Sequence, residues 1–124
     1  MSWEFDPDRP IYSQLTERLN RLIVTEEYGP GSRLPSVRDL AGQARVNPNT
    51  MQRALANLEA TGLIYTERTS GRFVTEDKDL ISEVKRNMAR EVIKRFYHDM
   101  WQLGVSPEEA LHIAGTEVKD ERVR

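Results

Sequence analysis

The sequence predicts a mostly α-helical chain with one small β-ribbon, and three observations carry that prediction. Between Leu34 and Leu58 two short apolar-periodic segments are separated by a tight turn, each opened by a capping residue. Directly after them, Leu63–Thr66 and Arg72–Thr75 have strand composition around a Gly-containing turn. From Asp79 to Leu103 a single amphipathic pattern then continues for about six turns. Helix, turn, helix and ribbon in that order read as an N-terminal winged helix-turn-helix, followed by a short two-helix C-terminal region. The composition shift after Thr75 divides the chain into residues 1–75 and 76–124.

Each element has its own local cause. Pro10 suits the first position of helix 1, because its missing N–H and fixed φ cost nothing there. Ile11, Leu15, Leu19, Leu22 and Ile23 then form one apolar stripe, and Tyr28-Gly-Pro-Gly31 stops the helix. Ser36 is placed to cap helix 2 with Asp39 at its third position, and Val37, Leu40, Ala41 and Ala44 make its apolar face. Arg45-Val46 is the turn. Asn47 caps helix 3 and Pro48 opens it, giving a helix over 47–61 with Met51, Ala54, Leu55 and Leu58 inward. Gly62 ends it as a left-handed cap, and 63–75 form the wing.

In the C-terminal region, Ile81, Val84, Met88, Val92, Phe96 and Met100 form one seam. Leu80, Ile93, Tyr97 and Trp101 widen it. Ser106 caps a last helix with Pro107 first and Glu109 at the capping-box position, Ala110, Leu111, Ala114 and Val118 form its apolar face, and the tail KDERVR is expected to fray. A stripe of this kind is usually core. This one is longer than a domain with its own three-helix core needs, so the expectation is a homodimer interface.

A winged helix-turn-helix places its second helix in a DNA major groove, so the surface of helix 3 matters most. It carries Asn49, Thr50, Gln52, Arg53, Ala56 and Asn57, which are small or hydrogen-bonding, where a solvent-facing helix would more often carry Glu and Lys. The net charge of −2 does not oppose a nucleic-acid partner, because the charge is unevenly spread. From Arg33 to Thr75 there are six basic residues, all arginine (Arg33, Arg38, Arg45, Arg53, Arg68, Arg72), against Asp39, Glu59 and Glu67. Arginine favours bidentate contact with phosphate and guanine.

The candidate DNA-binding residues are Arg38, Asn47, Asn49, Thr50, Gln52, Arg53, Arg68, Gly71 and Arg72. For most of them a plainer role stays open. Arg53 either contacts DNA or pairs with Glu59 or Asp39. Arg38 contacts phosphate or braces the start of helix 3. Asn49 and Gln52 either form bidentate bonds to adenine or hydrate the surface. Asn47 is foremost a cap. Arg68 and Arg72 flank the wing tip, as minor-groove or phosphate contacts or as solvated strand residues.

Other classes find little support. No cysteine is present, which excludes a disulfide scaffold and a thiolate metal site and suits a reducing cytoplasm. The first residues lack a signal-peptide pattern, and no apolar run approaches the roughly 20 residues of a membrane span. His98, His112 and Asp99 fall short of a metal set, and no nucleophile–base pair or phosphate loop stands out, so neither an enzyme nor a cofactor is expected. The rival reading is a winged-helix protein-interaction module, which the acidic flanks keep open.

The run LPSVRDLA…VNPNTMQRALANLEATGLI…GRFV resembles the DNA-binding domain of the GntR family of bacterial transcription regulators, and FDPDRPIYSQL resembles that family's lead-in. The VNPNT turn and the short two-helix C-terminal part are similar to its YtrA-like subfamily. The resemblance implies a cytoplasmic homodimer on a pseudo-palindromic, double-stranded operator, acting as a repressor, in that subfamily commonly of ABC transporter genes. It implies that Arg38 contacts DNA, that Thr50 and Arg53 lie on the reading helix, and that Gly71 lies at the wing tip. This chain departs from many relatives at Pro48 and Gln52, where they carry arginine, and at Thr69, where a glycine is common. The C-terminal part is small for an enclosed pocket. An unidentified small-molecule effector would sit at the dimer seam, or there is none.

Overall fold

A computed structural model describes residues 3–123 and contains, in order, α1 (Ile11–Val24), α2 (Val37–Ala44), α3 (Pro48–Thr61), β1 (Ile64–Glu67), β2 (Gly71–Val74), α4 (Lys78–Gln102) and α5 (Pro107–Val123). The winged helix-turn-helix is present as expected. The chain divides into two compact units, one ending at Lys85 and one beginning at Arg86.

In the first unit, α3 packs across α1 and α2 and runs directly into β1. Leu15, Leu19 and Ile23 of α1, Leu40 and Ala44 of α2, and Met51, Ala54, Leu55 and Leu58 of α3 form one buried core. Leu34, Leu63, Ile64 and Val74 close it on the wing side. Burying each Leu, Ile, Val or Met side chain contributes roughly 1.5–3 kcal/mol, which fixes the faces of all three helices. Two expected core positions differ: Ile11 is exposed at the first turn of α1, and Val37 is only half-buried. Ile81 in the first turn of α4, expected at a dimer seam, is instead 8% exposed and belongs to the core of this unit. The unit therefore extends about two turns into α4.

The helix ends follow the capping residues. Ser36 Oγ accepts from Asp39 N–H at 3.1 Å and Asn47 Oδ1 from Asn49 N–H at 2.8 Å. Pro10 is the N-cap of α1 rather than its first residue, with an extended ψ of 135°. The turn between α2 and α3 is a left-handed cap made by a non-glycine residue, Arg45 at φ 57°, and Val46 N–H returns to the Ala41 carbonyl at 3.0 Å.

The wing has more structure than two strands. β1 and β2 pair antiparallel from Ile64↔Val74 to Glu67↔Gly71, leaving Arg68–Ser70 as the loop. Arg33 bridges Phe73 from the other side, with Leu34 N–H on the Arg72 carbonyl and Val74 N–H on the Ser32 carbonyl, each at 2.9 Å. β2 is thus the middle of a three-segment sheet, and its backbone is paired on both edges.

In the second unit, α4 ends in a Schellman motif. Gly104 adopts φ 76°, Val105 N–H bonds the Met100 carbonyl, and Gly104 N–H bonds the Trp101 carbonyl. Ser106 Oγ accepts from Glu109 N–H at 3.2 Å to start α5. Contrary to the expected fraying, the helix continues through Val123, and Arg124 lies outside the described residues. Of the apolar face expected for α5, Ala110 is buried and Ala114 half-buried, while Leu111 and Val118 are exposed. Val92, Ile93, Trp101 and Leu103 are exposed as well, Trp101 at 66%. Val84, Met88, Phe96 and Met100 are half-buried.

Candidate nucleic-acid interface

With Met51, Ala54, Leu55 and Leu58 fixed inward, the 3.6-residue repeat turns Asn49, Gln52, Arg53 and Ala56 outward, and all four are exposed. Thr50, one position off that stripe, is half-buried. The outward stripe is polar with a single charge, and Ala56 leaves room for close approach. Its two flanks lean on different neighbours.

On the α1 side, the Arg53 guanidinium carbon lies over the Tyr12 ring, 3.7 Å from its centroid. One turn further along both helices, Asn57 Nδ2 donates to Thr16 Oγ1 at 3.4 Å. Arg53 thus forms neither of the ion pairs that its sequence context offered, with Glu59 or with Asp39. Its partner is an aromatic ring 41 positions away.

On the wing side, Glu59 Oε1 takes the Arg72 Nε–H at 3.1 Å and the Thr66 hydroxyl. The Thr66 hydrogen bond is the largest influence on the Glu59 carboxyl; burial opposes it, and the hydrogen bond and charge of Arg72 add to it, so that the group is held below its ordinary range. The one acid on α3 is therefore engaged, and so is the Nε of Arg72.

The remaining candidates surround this helix. Arg38 is exposed in the first turn of α2, and Arg68 is exposed in the wing loop. Asn47 spends its side-chain oxygen on the α3 cap. Gly71 closes the wing loop at φ 107°, where a Cβ would come within 3.1 Å of Arg33 Nε. Arg33 and Arg72 then line an open groove with Pro35, Ser36 and Gly71, at the foot of the wing beside the start of α2. A local concentration of guanidinium groups around a polar helix face is the footprint that a phosphate backbone requires. Among the described residues no cluster of His, Cys, Asp or Glu is arranged to hold a metal ion, and no helix is long and apolar enough to cross a membrane.

Sequence reasoning missed Tyr12 and Arg33 as parts of this surface. In the sequence Arg33 stands out only as local charge. The one signal for Tyr12 was an aromatic lying off the apolar stripe of α1.

The chain is similar to known transcription regulators. The model of the gntR family of bacterial regulatory proteins matches residues 11–74. The transcriptional repressor YtrA of Bacillus subtilis (strain 168) is 36% identical over 108 residues, covering 85% of this chain and 83% of the relative. The structure of a GntR family transcriptional regulator from Listeria monocytogenes matches with a TM-score of 0.82 at 39% identity, over 90% of this chain and 98% of that one. The DNA-binding domain of AraR, solved in complex with its operator ORE1, matches with a TM-score of 0.52 at 25% identity, over 60% of this chain and 94% of that one. With its capped α3, its wing and a two-helix C-terminal region of YtrA-like size, the chain belongs to the gntR family of bacterial transcription regulators.

Proposed function

We propose that this regulator is a repressor that binds a pseudo-palindromic operator as a homodimer, reading bases with α3 and following the neighbouring minor groove with the wing. The first unit binds DNA and the second associates with a second copy. The observation that carries the reading is the outward face of α3: Asn49, Gln52 and Arg53 are exposed beside Ala56, while Glu59 is turned aside and matched by Arg72. Arginine and amide side chains are the groups that make bidentate contacts with guanine and adenine. That the matching AraR DNA-binding domain is solved on an operator supports DNA binding by this part of the chain.

Self-association is supported by the exposed Val92, Ile93, Trp101, Leu111 and Val118 of the second unit, apolar surface that no residue of that unit covers. A two-fold dimer would set two α3 helices about one turn of DNA apart. Blocking a promoter, as YtrA-like repressors would at an ABC transporter operon, then needs only occupancy. An effector at the seam would act by changing the separation of the two reading helices.

Selection from a random duplex pool at physiological salt tests this. An enriched inverted repeat with half-sites about 10 base pairs apart is expected. A pool that shows no enrichment, or bulk binding that disappears with salt, would overturn it.

A further inference from the structure

We propose that Tyr12 is a positioning residue for DNA recognition: its ring holds the Arg53 guanidinium flat against α1, so that the N–H edge is presented outward from α3 before DNA arrives. This rests on the reading of α3 as the recognition helix.

The geometry is specific. A guanidinium carbon 3.7 Å from a ring centroid is at van der Waals contact with the face of the ring, closer than an edge-on approach through N–H would place it. A stacked guanidinium keeps all its N–H groups in the plane and free. Among the described residues Arg53 makes no hydrogen bond or ion pair that would occupy them. Tyr12 lies in the first turn of α1, where its backbone carbonyl receives the Thr16 hydroxyl at 2.9 Å. Thr16 in turn accepts from Asn57, one turn beyond Arg53. Tyr12 and Thr16 on one helix thus brace Arg53 and Asn57 on the other as two successive rungs.

The consequence follows from side-chain entropy. A free arginine on a helix surface must give up most of its rotamers to make a planar, bidentate contact. Arg53 has already been confined by the stack, so less is lost on binding. Tyr12 would therefore affect operator affinity without touching DNA.

The test is a double-mutant cycle on the duplex that the wild-type protein enriches, read by fluorescence anisotropy across a salt series. Tyr12→Phe, which keeps the π-face, is expected to bind like wild type. Tyr12→Leu, which keeps apolar bulk but no π-face, should bind about two- to fivefold more weakly per half-site, the equivalent of one exposed cation–π contact. In an Arg53→Ala background, Tyr12→Leu should change nothing further. Equal affinity of Tyr12→Leu and wild type, or the same loss with and without Arg53, overturns the proposal and leaves the recognition helix standing. A wild-type protein that enriches no duplex overturns both.

Discussion

Arg72 of β2 holds Glu59 of α3 through a 3.1 Å contact, and Thr66 of β1 closes on the same carboxylate oxygen. One acid thereby ties both strands of the wing to the helix beside it. The junction joins the wing to α3 through side chains alone.

Glu59→Gln should loosen it. The pair is partly exposed, so the expected cost is modest, about 1 kcal/mol by chemical denaturation. The pH dependence has a definite sign. The carboxyl is held below its ordinary value of 4.5, so its contribution is present above that value and is lost as pH falls through the lowered one. Wild-type stability should decline in that acidic window, and Glu59→Gln should lack that part of the decline.

Arg53→Ala should weaken operator binding by about 1–3 kcal/mol, as loss of a bidentate base contact would. Arg53 is exposed, so the melting temperature should change little. Affinity measured on the enriched duplex beside a thermal melt separates the two effects. Full affinity in the variant would mean that α3 does not read DNA through this residue.

Gly71→Ala and Gly62→Ala should differ. Both sites have positive φ, at 107° and 84°, so each substitution strains the backbone by roughly 1–3 kcal/mol. At Gly62 the added Cβ meets only Leu80 Cδ2 at an ordinary 3.5 Å, whereas at Gly71 it presses on Arg33 Nε at 3.1 Å. Gly71→Ala should therefore also displace Arg33 and weaken DNA binding beyond its effect on stability. Gly62→Ala should lower stability with little change in affinity.

Val92→Glu tests the second unit. Val92 is 55% exposed within the chain, so a charge there should not disturb the fold. It should convert a dimer to a monomer in sedimentation and weaken operator binding with it. Unchanged sedimentation of a dimeric variant would place the interface on another face.

What the sequence showed and what it hid divide by distance along the chain. Ser36, Asn47, Gly62 and Ser106 act on backbone groups within three residues, so composition alone located them. The stack of Arg53 on Tyr12, the pairing of Glu59 with Arg72, and the bridge from Arg33 to Phe73 join residues far apart. Local pattern carries no information about which of several arginines will meet which acid or ring. The burial of Ile81 was hidden for a related reason: the periodicity of α4 is continuous, and only the packing shows that its first turn belongs to the core.

The exposure of Trp101 has a practical consequence. The chain has two tryptophans, and they lie in different units: Trp3 beside the Arg18 guanidinium in the first, Trp101 on the bare surface of the second. Each unit therefore carries its own intrinsic fluorophore. Replacing either one by phenylalanine would leave a single tryptophan, so that a shift in tryptophan emission on dilution, or on adding duplex, can be assigned to one half of the molecule without any attached dye.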